Sequence, residues 1–263
     1  MNLASCIPEV SSKLEARLVV EYGAIFVTVA VPPPKIIFPG EADVRSFQDS
    51  LDKLKQVIGG YEIELQSQAM IALKSAVLQS AAFGSSISPR SADSGRRSYQ
   101  ETLALWQRNV SRGLDHWLNC GRLTAEQTEG IRSLPITSQV EAVLNLEESR
   151  QIFFSTYFDK SILQSVAAPG ASQHLSMLAF DLAEFNDNTA ETVMASNGWY
   201  RTVLSDLPHF TYLGHPESAL SDLGLEQVVR ESDGCAYHFW IPRVSGLEGF
   251  PPGVAFGNHA PSV

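Results

Sequence analysis

Pro169-Gly170-Ala171-Ser172-Gln173-His174-Leu175-Ser176-Met177-Leu178-Ala179-Phe180-Asp181, with Ser205-Asp206-Leu207-Pro208-His209-Phe210 further on, is the part of the chain from which the rest can be read. Leu178-Ala179-Phe180-Asp181-Leu182 is mostly apolar and reads as a buried strand. Asp181 then stands on a rigid element, while the loop turned by Pro169-Gly170 delivers His174. Pro208 holds the chain extended before His209, and Phe210-Thr211-Tyr212-Leu213 continue as β-formers until Gly214. Two imidazoles and one carboxylate make a favoured open zinc site with the fourth position left to water. Asp206, three residues before His209, is near enough to act on that water without being a ligand. Spacings of this kind also occur by chance, so the surrounding residues have to decide the reading.

Those residues resemble the zinc D-alanyl-D-alanine carboxypeptidases and the related peptidoglycan peptidases of the VanY and endolysin type. That family carries Ser-x-His-x-x-Gly-x-Ala-x-Asp, usually after Pro-Gly, and later Glu-x-x-His or Asp-x-x-His followed by an aromatic. Ser172, His174, Ala179 and Asp181 fit the first motif; Asp206, Pro208, His209 and Phe210 fit the Asp form of the second, with Gly198-Trp199-Tyr200 just upstream. Met177 departs from the pattern, because it occupies the place the family gives to Gly. Glycine there allows close backbone approach, so Met implies either a wider strand environment or a side chain projecting into the pocket.

The resemblance implies Zn2+ held by His174, Asp181 and His209, with Asp206 as general base and Ser172 and Trp199 beside the substrate. The fold it leads one to expect is α+β, a small antiparallel sheet carrying the zinc site and packed against several helices. Its substrate class is the stem peptide of peptidoglycan, cut as a D-Ala-D-Ala carboxypeptidase or as an endopeptidase within the stem. The family also brings an arginine into its site from a Ser-Gly-Tyr-Arg-Ser-Tyr-like motif. Ser94-Gly95-Arg96-Arg97-Ser98-Tyr99 keeps all of it but the first Tyr, which favours Arg97, with Arg90 as the alternative. A guanidinium there can polarise the scissile carbonyl or grip a substrate carboxylate. Two other classes remain open, a non-catalytic zinc-containing peptide-binding module and an α+β protein without metal.

The formal net charge of −10, without a long basic run, argues against nucleic acid or an anionic membrane surface as the main partner. Cys6, Cys120 and Cys235 are far apart and suggest neither a structural zinc nor a disulfide framework. Met1–Lys13 lacks the pattern of a secretory signal, and Leu18–Val31 is too short to span a bilayer. No compartment follows, although a wall peptidase would meet its substrate in the periplasm or outside the cell.

Residues 1–64 read as a strand and helix region of unclear role, 65–243 as the peptidase-like domain, and 244–263 as a Gly/Pro-rich tail. Leu18–Val31 predicts one or two strands, and Lys35–Phe38 another extended piece. Helices are predicted over Asp43–Ile58, Gln66–Ala82, Tyr99–Cys120, Thr124–Leu134, Ile136–Leu146 and Asn188–Asn197, with Glu147-Glu148 as a solvated helix end. Ser85–Ser88 predicts a short strand and Tyr237–Pro242 a final one, while Glu217–Leu225 predicts a turn or short helix. His116, His215 and His238 lie outside the motifs.

Overall fold

The computed structural model describes residues 2–204, 206–232 and 234–244, so the tail from 245 onward lies outside the described residues. A short helix α1 (Leu3–Cys6) leads to α2 (Lys13–Tyr22), which Ser12 opens by accepting the Glu15 N–H. A 3-10 turn over Gly23–Val27 follows. The strands expected between Leu18 and Val31 are therefore absent. Leu14, Leu18, Val19 and Tyr22 are buried at helical spacing, and Glu21, which interrupts the apolar run in sequence, pairs with Arg17 one turn back at 2.7 Å. Burial of that face overrides the β-preference of Val and Tyr.

Helix α3 (Glu41–Ser50) ends earlier than expected, and Lys53–Ile58 is strand β1, paired antiparallel with β2 (Tyr61–Gln66). Gly59 and Gly60 both have positive φ, 55° and 87°, and close the hairpin in the two-residue form that such values favour. Along β1, Val57 is 73% exposed while Ile58 is buried. Lys35–Phe38 forms no strand, though the Phe38 N–H donates to the Gly170 carbonyl at 2.9 Å.

Helix α4 (Ser67–Ala82) buries Ala69, Met70, Leu73 and Ala76. The expected strand at Ser85–Ser88 reduces to a single bridge between Pro89 and Leu182. Next comes α5 (Tyr99–Asn119), started by a capping box in which Ser98 accepts the Glu101 N–H and Glu101 accepts the Ser98 N–H. Its Trp106, Val110 and Leu114 enter the core. Helices α6 (Ala125–Arg132) and α7 (Ile136–Arg150) follow.

The site-bearing sheet is small. Strand β3 (Ala179–Asp181) pairs with β5 (His209–Tyr212), and β5 also pairs with β4 (Trp199–Tyr200), all antiparallel. Helix α8 (Asn188–Ser196) precedes β4 and buries Val193 and Met194. A separate hairpin, β6 (Leu225–Ser232) with β7 (Cys235–Pro242), closes the described chain. Strand β6 escaped the sequence reading because most of its residues are polar and exposed. The architecture is α+β, as expected. One hydrophobic cluster runs from Leu3 through Trp106, Phe180 and Phe210 to Trp240.

Two expectations are corrected by burial. Trp199 is fully buried between Phe180 and Tyr212, so it is core and does not line a substrate cleft. Glu147 is not a solvated helix end: it is buried and accepts from Phe154 N, Ile162 N and Ser161 Oγ at 3.0, 2.8 and 2.7 Å. Only Glu148 is solvated, in an ion pair with Lys13.

Burial pushes the Glu147 carboxyl up to about 7, against the hydrogen bonds that favour its charged form. From about pH 4.5 to 7 the folded chain keeps a proton that the unfolded chain has released, so stability falls as pH rises through that window. The loss should be about 3 kcal/mol. Glu147→Gln, which keeps an acceptor for both N–H groups, should remove that slope. Urea unfolding of both proteins across the window checks this, and parallel pH profiles would contradict it.

Candidate metal centre

Asp181 and His209 are direct partners across the β3–β5 ladder, which sets their side chains on the same face at close range. His174 reaches them from a 3-10 turn, Gln173–Ser176, that follows the Pro169-Gly170 turn. Gly170 has φ of 87°, and a Cβ there would lie 2.2 Å from the Phe38 carbonyl oxygen, so no side chain fits. Met177, at the end of the 3-10 turn, also has a left-handed backbone, φ 56°. That is the conformation Gly adopts freely. The Met side chain is fully buried and does not line the cavity, so it does not project into the pocket.

His174 Nε2 lies 3.3 Å from Asp181 Oδ1, and His209 Nδ1 lies 3.2 Å from the same oxygen. The outer nitrogen of each ring is already engaged. His174 Nδ1 is 2.6 Å from the Gly95 carbonyl oxygen, and His209 Nε2 is 2.8 Å from Gln173 Oε1. Both oxygens can only accept, so both outer nitrogens carry protons. A neutral ring then turns its lone pair toward the carboxylate.

Burial, helped by the Arg97 charge, pushes His174 down to about 4, so it is neutral near pH 7. Its Nε2 is buried with no hydrogen-bond partner. Burial works against ionisation of the Asp181 carboxyl, and an ion pair offsets it. Arg97 Nη2 donates to Asp181 Oδ2 at 2.6 Å and adds a permanent cation.

Two lone pairs and an anionic oxygen thus meet at one point, an arrangement that a cation relieves. The three donor atoms lie within 4.8 Å of one another. Donors at about 2.1 Å from a tetrahedral zinc stand roughly 3.4 Å apart, which the observed 3.2 and 3.3 Å match. This buried His174–Asp181–His209 group can bind a metal ion.

The donors open on a cavity of about 330 Å³ that Ser172, Asp206, Arg90 and Arg97 also line. Burial, reinforced by Asp181, raises the Asp206 carboxyl above its ordinary value despite the nearby His209 and arginines. Asp206 is not part of the donor group. Its backbone carbonyl accepts the His209 N–H, so the turn that places one side chain places the other. Arg97 holds Asp181, while Arg90 is exposed and lies over the Phe185 ring.

The remaining imidazoles among the described residues are elsewhere: His116 stacks on Phe158, His215 bonds to the Val27 carbonyl and His238 faces Glu191. The three cysteines are free.

Gln173 and Gly95 are the functional positions that sequence reading missed. Gln173 is buried, accepts from Thr211 Oγ1 as well as His209, and donates to the Tyr22 carbonyl. That second bond fixes which end of the amide faces the ring. Gly95 offers its carbonyl from a tight spot, where a Cβ would lie 2.8 Å from Ile63 Cγ2. A glycine in the arginine motif was a signal for such close approach; Gln173 gave none.

The chain matches no family model, no curated protein and no solved structure.

His209→Ala should abolish stoichiometric metal in elemental analysis. Gln173→Leu, which removes the acceptor that orients His209, should weaken metal binding by about ten- to a hundredfold while the far-ultraviolet spectrum is unchanged. Wild-type affinity in the Leu variant would show that the ring is held by other means.

Proposed function

We propose that the protein is a zinc-dependent hydrolase of peptide bonds in peptidoglycan stem peptides, acting at a D-Ala-D-Ala terminus. The observation that carries this reading is the convergence of two imidazole nitrogens and one carboxylate oxygen on a cavity wall, with a separate half-buried carboxylate, Asp206, lining the same space. The motif resemblance around these residues supplies the substrate class. Donor chemistry favours zinc, because two imidazoles and a carboxylate suit it better than they suit magnesium or calcium, which prefer oxygen ligands.

Zinc bound there would supply Lewis-acid polarisation of the peptide carbonyl and activation of the attacking water. Asp206, with its raised pKa, receives a proton from that water on its carboxylate and hands it to the nitrogen of the leaving amine. Arg97 keeps Asp181 ionised and aimed, and Arg90 presents a guanidinium to the substrate from the rim. Gln173 and the Gly95 carbonyl keep each histidine in the tautomer that offers a lone pair inward. A module kept only for recognition has no use for Asp206, which is why the enzyme reading is preferred to the binding-module reading.

Asp206→Asn should keep the fold and a full complement of zinc but lose turnover by about a hundred- to ten-thousandfold on a peptide ending in D-Ala-D-Ala. Zinc content and hydrolysis rate measured on one preparation decide it. Wild-type turnover would remove Asp206 from the mechanism, and loss of zinc would make it a ligand. Arg97→Ala should weaken zinc binding as well as turnover, because it releases Asp181. Arg90→Ala should raise KM and leave zinc in place, and the reverse pattern would exchange the two assignments.

A further inference from the structure

The cavity does not stop at the metal donors. It continues along one face of α5, where Thr102, Leu105, Asn109 and Arg112 recur at helical spacing, with Arg108 beside them. Thr102 and Arg112 are separated along the helix axis by about 15 Å. An extended peptide advances at most about 3.3–3.6 Å per residue, so this wall accommodates roughly four residues beyond the metal end. A substrate no larger than a dipeptide would leave most of it unused.

Charge is distributed along this wall in a definite order. Asp93, Asp181 and Asp206 gather with Arg90 and Arg97 at the end with the metal donors, while Arg108 and Arg112 stand further along α5. In a chain of net charge −10, neither of these arginines has an acidic partner among the described residues. Arg112 donates to the Thr156 carbonyl at 3.3 Å and lies over the Phe158 ring, which ties its guanidinium to the loop that carries them. Arg108 is exposed at the cavity edge. Two cations lining a cleft without counter-charges are a subsite for a carboxylate.

We propose that Arg108 and Arg112 form an anion subsite that selects extended peptides bearing a carboxylate side chain three or four residues before the bond at the metal centre. The inference rests on the hydrolase reading for the placement of that bond, and it adds a second point of recognition. The C-terminal end of the peptide lies at the metal donors, and its upstream residues run along α5 toward the two arginines. The site is then specific for an acidic oligopeptide, and short neutral dipeptides are poor ligands.

The test uses the zinc-loaded full-length chain and acetylated pentapeptides ending in D-Ala-D-Ala, with the last amide reduced to CH2–NH so that no turnover blurs the titration. One set carries Glu three or four residues before the last bond, and the other carries Gln in its place. Calorimetry should show the Glu peptide binding about tenfold tighter than the Gln peptide. Arg108→Gln should reduce that preference, and Arg108→Gln with Arg112→Gln should bring it within about twofold while the Gln peptide binds as before. Because Arg112 also touches Thr156, Arg112→Lys provides a variant that keeps the charge, and it should retain part of the preference. Equal binding of the two peptides by the wild type, a preference that survives in the double variant, or no binding of either peptide overturns the proposal. The same peptides with natural bonds separate it from the hydrolase reading. Tight, Glu-selective binding without cleavage would leave the subsite standing and remove the activity, and cleavage of both peptides with equal kcat/KM would do the opposite.

Discussion

A single carboxylate oxygen, Asp181 Oδ1, faces two imidazole nitrogens at 3.2 and 3.3 Å, and much of the structure exists to keep the three groups together. Both rings are pinned from behind by acceptors, so each presents a lone pair, not a proton, to an anion. In a buried setting three electron-rich atoms repel one another, and protonation of His174 is opposed by burial and by Arg97. Folding into this arrangement therefore has a cost that a cation in the centre would offset. The polar shell around it, Gln173, Thr211, Gly95 and Arg97, acts mainly by fixing orientation.

The scaffold meets that demand by combining one rigid strand pair with one turn. Asp181 and His209 need only the register of β3 and β5. His174 depends on more: Pro169-Gly170 docked against Phe38, a 3-10 turn, and a left-handed Met177 whose N–H returns to the His174 carbonyl at 3.1 Å. A non-glycine residue in that conformation costs about 1–2 kcal/mol. Full burial of a Met side chain contributes about 1.5–3 kcal/mol in the opposite sense. The departure from the glycine pattern is thus accommodated by the core beneath the turn, with the pocket itself left open.

The parts of the site that were legible in sequence are those fixed by short-range geometry. His174, Asp181, Asp206 and His209 could be grouped because a strand, a Pro-Gly turn and an Asp-x-x-His step constrain direction over a few residues. Gln173 was not legible, since its meaning comes from Thr211, Tyr22 and His209, distant in sequence. The helices α4, α5 and α8, with α5 and α8 opened by side-chain caps, were placed to within a residue or two. Helix α2 was read as strand because its Ser12 cap lies upstream of the β-branched run that drew the reading, and because Glu21 looked like a break when it is an ion-paired helical residue. Trp199 shows the other failure: an aromatic beside a site motif suggests a cleft wall, but only tertiary packing could say that Phe180 and Tyr212 enclose it.

The corrected Glu147 bears on the site as well as on the fold. Its carboxylate gathers the N–H groups of Phe154 and Ile162, so it ties together the two ends of the loop that forms the cavity wall facing α5. Ser161 binds the second oxygen, leaving neither oxygen without a donor. A loop crossing a core would otherwise bury unpaired backbone donors. By satisfying them with one side chain, the fold lets Thr156, Leu163 and Ser165 face the cavity while Ile152, Phe154 and Ile162 fill the core behind them. A buried acid outside the metal donors thus braces the loop from which Thr156 faces the cavity. The cleft is set from two sides, by the regular face of α5 and by a loop whose shape Glu147 dictates.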